Sequence, residues 1–147
     1  QALHCTVSGV LELPPGTQPG LHGFDFFLWG THQEIKMETH LDRDDYLLFP
    51  VAIARELPRG GKPQLFFVAV SLMDDAEFSQ SCAMAVERSE YIPNGNGEFF
   101  DRLANGCGPD AYTYEGWACQ QLAARFVDAN RDALLEQVEK AQAARAS

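Results

Sequence analysis

The chain has 147 residues, of which 46% are hydrophobic and 11% aromatic, with a formal net charge of −10 and a pI near 4.7. That length fills one domain around a single core and leaves no room for a second, and the apolar content predicts folding without a cofactor. The acidic balance is the wrong sign for a phosphate backbone or an anionic lipid surface, which excludes nucleic acid as the expected partner; the longest apolar run, near Leu65 to Leu72, is far short of the roughly 20 residues of a membrane-spanning helix.

Along the chain, HCTVSGVLEL (4–13) alternates with Cys5, Val7, Leu11 and Leu13 toward one side and reads as a strand, stopped by the turn-forming PPGTQPG. FDFFLWG (Phe24 to Gly30) and EIKMETHL (Glu34 to Leu41), joined by THQ, have hairpin spacing with Ile35, Met37 and Thr39 on one face. LDRDD follows as an acidic turn: Asp42, Asp44 and Asp45 offer clustered carboxylates, but the turn glycine and distal glutamate of an EF-hand are missing.

Two strongly apolar runs, Tyr46 to Glu56 and Gln64 to Met73, flank the Pro- and Gly-containing loop LPRGGKP and are the expected core strands. Pro50 interrupts the first, so a bulge or an edge belongs there. CAMAVERSEYI (Cys82 to Ile92) reads as a strand with Cys82, Met84 and Val86 inward, a short helix being the alternative. PNGNG (Pro93 to Gly97) is a tight turn, and the stretch on to Gly116 reads as a strand or helical turn near Phe99 followed by a loop.

From Trp117 to Ala144 there is neither Gly nor Pro, and Cys119, Leu122, Phe126, Ala133 and Val138 recur at three- to seven-residue steps, the pattern of an amphipathic helix. Its first turns should dock and its last turns fray. The expected fold is α+β: an antiparallel, curved meander of about six strands with a long C-terminal α-helix packed on it.

The four cysteines, Cys5, Cys82, Cys107 and Cys119, include no C-x-x-C pair, so disulfides are the economical reading and four buried thiols the alternative. Cys107 with Cys119 and Cys5 with Cys82 is the preferred pairing among the three that four cysteines allow. Disulfides imply an oxidising compartment, a periplasm or an extracellular space, and hence export.

No metal, nucleophile-elbow or nucleotide motif is present: His4, His22, His32 and His40 lack the spacing of a zinc helix. Carboxylate pairs such as Glu77 and Glu98 are near-inevitable by chance among twenty-one acids. Binding, not catalysis, is the expected activity, with no cofactor and no metal. Seven acids against the single base Arg88 lie between Asp74 and Asp101, a field that steers basic partners or simply keeps the chain soluble.

Within that stretch MDDAEFSQS reads as a projecting loop. Asp74, Asp75 and Glu77 flank Phe78 as an aromatic anchor, with Ser79, Gln80 and Ser81 as hydrogen-bonding neighbours; the plainer alternative folds Phe78 into the core. A second candidate loop, YIPNGNGEFF, carries Asn94, Asn96 and Glu98.

The strand HCTVSGVLEL, the run GFDFFLWG and the acidic character ending in a helix resemble a periplasmic immunity protein of bacterial type VI secretion, more narrowly the immunity partner of a secreted muramidase effector. The resemblance implies a protein that blocks a peptidoglycan-cleaving toxin by inserting loops into its glycan groove, exported and in some cases anchored by a lipid upstream of the position numbered Gln1. A rival reading is a small periplasmic ligand carrier or enzyme with a cavity inside the curved sheet, lined by Phe26, Trp29, Phe66 and Phe67.

Overall fold

A computed structural model describes residues 23–57, 60–85 and 114–146. The elements are α1 (Phe24–Thr39), a 3-10 turn (Arg43–Asp45), β1 (Tyr46–Glu56), β2 (Lys62–Ser71), α2 (Asp75–Ala83) and α3 (Tyr114–Arg145). The class is α+β with a long C-terminal helix, as expected. The meander of about six strands is not there: among the described residues the sheet is a two-stranded antiparallel ribbon. The expected strand at 4–13 lies outside the described residues; of the one expected over Cys82 to Ile92, Cys82 and Ala83 end a helix instead and the part from 86 on lies outside the described residues.

The expected hairpin over 24–41 is instead one helix of 16 residues. Burial shows why. Ile35 and Thr39, each 4% exposed, recur at a four-residue step, while Met37, placed on the same face by a two-residue period, is 39% exposed. The aromatic and β-branched residues that suggested strand are tolerated because tertiary burial outweighs propensity. Two of them also satisfy themselves: Thr31 Oγ1 donates to the Phe27 carbonyl at 2.9 Å and Thr39 Oγ1 to that of Ile35 at 2.6 Å. The helix stops at His40, which turns left-handed at φ 63° and donates its N–H to the Lys36 carbonyl.

The two apolar runs do form the paired strands, from Tyr46 opposite Ser71 to Glu56 opposite Lys62. Register shifts between Pro50 and Ala52, so Val51 is the extra residue of a bulge, placed where the missing N–H of proline costs the ladder least. The turn closes through Gly60 and Gly61 at φ 73° and 78°, a left-handed pair that any residue with a Cβ resists.

Alternation sorts the ribbon into two faces. One presents Tyr46, Leu48 and Phe67 to α1, where Phe24 meets Phe67 at 6.3 Å and His32 meets Tyr46 at 5.6 Å between ring centroids. The other presents Phe49 and Phe66 to α3, where Phe126 lies 5.6 Å from Phe49. An aromatic contact of that geometry adds about 0.5–1.5 kcal/mol beyond the area it buries. The ribbon is thus sandwiched between two helices, and this sandwich replaces the curved sheet.

The core sits at the ribbon's base, where Ile35, Leu41 and Tyr46 are buried together with Leu48, Met73 and Phe78 against them. α3 spans 32 residues, close to the expected bounds, and of the residues expected to face inward Cys119, Leu122, Phe126 and Val138 are half-buried. Leu134 is buried at 8% exposure and Ala133 is exposed. Its end does not fray as expected: Gln142 Nε2 donates to the Leu72 carbonyl at 3.1 Å, and Arg145 pairs with Asp45 at 2.9 Å.

Neither described cysteine, Cys82 nor Cys119, is in a disulfide, which corrects the expected disulfide-stabilised fold. Cys5 and Cys107, their proposed partners, lie outside the described residues. Cys82 closes α2 instead of starting a strand, and burial pushes its thiol pKa up.

Candidate functional site

The segment expected as a projecting loop is α2, a helix of nine residues. Asp74 is its N-cap: one carboxylate oxygen accepts from the amides of Ala76 and Glu77, both at 2.9 Å, and Glu77 accepts the Asp74 N–H at 3.3 Å. This reciprocal box satisfies amides that a helix start leaves orphaned. The acids that looked like a steering patch are therefore also the chemistry that starts the helix.

Helical geometry divides the candidate residues. Asp74, Asp75, Glu77, Ser79 and Gln80 are exposed. Phe78 is half-buried against Ile35, Leu41 and Tyr46, and so serves as an internal anchor, not as a projecting one. Ser81 is buried at 6% exposure and donates to the Thr39 carbonyl at 3.1 Å, tying α2 to the end of α1. Asn94, Asn96 and Glu98 lie outside the described residues.

The aromatic residues assigned to a sheet cavity do not converge. Phe66 and Phe67 are neighbours in β2 and point to opposite faces, while Phe26 and Trp29 belong to α1. Among the described residues the sheet is a two-stranded ribbon, so these four side chains do not line the interior of a curved sheet as expected.

A second arrangement was not foreseen. An open depression of about 400 Å³ is lined by His32, Gln33, Lys36, Leu41, Asp42, Arg43 and Asp44, where the last turns of α1 meet the 3-10 turn. Lys36 reaches Asp42 at 2.8 Å and the His40 carbonyl at 3.2 Å; its hydrogen bond and charge hold the Asp42 carboxyl below the usual range. Asp45 accepts the Asp42 N–H at 2.7 Å and also carries the ion pair to Arg145. The acidic LDRDD motif is accordingly spent on turn hydrogen bonds and ion pairs.

His32 Nδ1 is hydrogen bonded to the Tyr46 hydroxyl at the rim. Burial, with a smaller contribution from the Arg43 charge, lowers the His32 pKa, and burial pushes Tyr46 up to about 12. At neutral pH the pair is therefore a neutral phenol and a neutral imidazole, and the tautomer of the ring sets which of the two donates. Tyr46 cannot ionise to act as a base there, and the bond's first effect is to satisfy a hydroxyl in a side chain 4% exposed. The signal for this site in the sequence was the helical step from His32 to Lys36, hidden by the strand reading.

Among the described residues no group of three His, Cys, Asp or Glu side chains could hold a metal ion, and no helix is long and apolar enough to cross a membrane. No family model matches the chain, and no curated protein or solved structure does.

Proposed function

We propose that this chain is an immunity protein that binds a secreted peptidoglycan hydrolase of the muramidase type and inhibits it stoichiometrically. The observation that best supports the reading is the construction of α2. Five exposed polar residues, Asp74, Asp75, Glu77, Ser79 and Gln80, stand on a helix fixed from inside by Phe78 and Ser81 and capped at its start. A surface held by buried anchors loses little conformational entropy on docking, so its contacts contribute more of their gross energy to affinity.

Contact through a helix face replaces insertion of a flexible loop at this position. The acids suit the basic rim that an enzyme needs to approach an anionic cell wall, and the hydroxyl and amide of Ser79 and Gln80 suit groups that otherwise bind sugar. The compartment, a periplasm, follows from the target; the two described cysteines lend it no support.

The test is a pull-down followed by an inhibition assay against the peptidoglycan hydrolase encoded beside this chain. Inhibition complete at equal molar ratio, with no cleavage of wall fragments by this chain alone, is the expected result. Absence of binding sinks the reading.

A further inference from the structure

The end of α3 is held differently from the rest of the helix. Beyond the buried Leu134, only Val138 and Ala141 are half-buried among residues 135–146 and the others are exposed, so apolar burial has faded before the last turn. What holds that turn is polar: Gln142 Nε2 donates to the Leu72 carbonyl at 3.1 Å, and Arg145 Nη2 pairs with Asp45 Oδ1 at 2.9 Å. Leu134, Val138, Gln142 and Arg145 follow one another at four- and three-residue steps, one stripe of the helix that changes from apolar to polar along its length.

Both targets belong to one place. Asp45 directly precedes β1 and Leu72 directly follows β2. The Leu72 N–H donates to the Asp45 carbonyl at 2.8 Å, a further rung beyond the pair Tyr46 and Ser71. A terminal rung is where a ribbon opens most readily. Here α3 grips it twice, through the Asp45 side chain and through the Leu72 carbonyl.

Two segments hang from that rung. On the β1 side the second carboxylate oxygen of Asp45 accepts the Asp42 N–H at 2.7 Å, and Asp42 in turn pairs with Lys36 at 2.8 Å. A continuous polar chain thus runs from the last turn of α3 to the last turn of α1. On the β2 side Leu72 and Met73 lead straight into Asp74, whose carboxylate caps α2. The Arg145 side chain is 36% exposed and that of Asp45 15%, so the ion pair is shielded enough to order these segments and open enough to release.

We propose that the last turn of α3 is a strap across the base of the ribbon. Closed, it orders the 3-10 turn and the start of α2 together; open, it frees both while the ribbon and the core stay folded. The consequence for docking rests on α2 being the inhibitory face. With the strap open, the cost of ordering α2 falls on the binding step and affinity drops.

Native-state hydrogen exchange on the full chain tests the strap, comparing the unaltered protein with Arg145→Gln and with Arg145→Gln combined with Gln142→Ala. The reporters are the amides of Asp42 and Leu72, held by Asp45, and those of Ala76 and Glu77, held by Asp74. Gly61, which donates to the Glu56 carbonyl at the other end of the ribbon, is the reference. Exchange at Asp42 and Leu72 is expected to rise at least about fivefold, with a smaller rise at Ala76 and Glu77 and none at Gly61. In an Asp45→Asn background, which keeps an acceptor for the Asp42 N–H, Arg145→Gln should add nothing. Should the double variant unfold, the exposed Arg145 change alone carries the comparison. Unchanged rates at Asp42 and Leu72 overturn the strap. So does an equal rise at Gly61, which would mean that the end of α3 adds only to global stability. Affinity for the neighbouring hydrolase, measured on the same variants, is expected to fall about threefold or more; unchanged affinity beside raised exchange overturns the link to docking. If the unaltered chain binds no hydrolase, the inhibitor reading falls and the strap is decided by the exchange rates.

Discussion

Ile35 and Ile53 are the same side chain in two segments that sequence patterning treats alike, and the fold separates them completely. Ile35 is 4% exposed at the centre of the cluster with Leu41 and Tyr46; Ile53 is 74% exposed on the open ribbon face. Ile35→Ala removes roughly three buried carbon groups at about 0.8 kcal/mol each, near 2.5 kcal/mol. The incompletely collapsed cavity raises the total to about 3–4 kcal/mol. In a chain of this size each kcal/mol lowers the melting temperature by about 2–4 °C, so a drop of roughly 10 °C is expected. Ile53→Ala forfeits only the quarter of its surface that is covered and should cost less than about 1 kcal/mol. Urea titration followed by circular dichroism, with an unchanged slope confirming two-state comparison, reads both. Equal losses from the two variants, or a loss under about 1 kcal/mol for Ile35→Ala, would refute the helix and its core as described.

Asp74→Ala removes the acceptor for two amides and should destabilise the chain by about 1 kcal/mol, seen as a lower urea midpoint; an unaltered midpoint would mean that the box at α2 is not formed. Because burial and Arg43 lower the His32 pKa below 6.5, folding favours the neutral ring. Its contribution to stability is full above pH 6.5 and is lost as pH falls from there through the folded-state value. His32→Gln should therefore flatten the change in urea midpoint between pH 7.5 and 5.5, and an unchanged slope counts against the burial of the His32 ring beside Arg43. Gln120 is 6% exposed with its Oε1 unsatisfied; Gln120→Met should leave stability equal or raise it by about 1 kcal/mol, and a clear thermal loss would show that the amide has a partner. The half-buried Cys82 thiol, its pKa pushed up by burial, should react with a thiol reagent at pH 7 more slowly than free cysteine, and an equal rate would place it in solvent.

Some of this protein was legible in its residues alone. Absence of Gly and Pro over 28 positions determined α3, because nothing in that stretch opposes helix and an apolar stripe recurs. Two apolar runs around a Pro- and Gly-rich loop determined the hairpin, and Pro50, unable to donate to the ladder, determined its bulge. The α+β class follows from these two features.

What the residues did not decide was which period governs a short, mixed segment. Over 24–41 both a two- and a four-residue spacing fit the apolar positions, and over 74–83 acids and small hydroxyls suit a loop or a helix start equally. Tertiary burial chose: Ile35 and Thr39 are buried while Met37 is exposed, and Phe78 is drawn into the core, so the acids before it become a cap. The thiol state of Cys82 was likewise undecidable from cysteine count, since a bridge depends on where two backbones come to lie. The open ribbon face was hidden for the same reason. Ile53 lies in an apolar run that reads as core, yet it is 74% exposed, while among the described residues the first turn of α1 lies against Phe67.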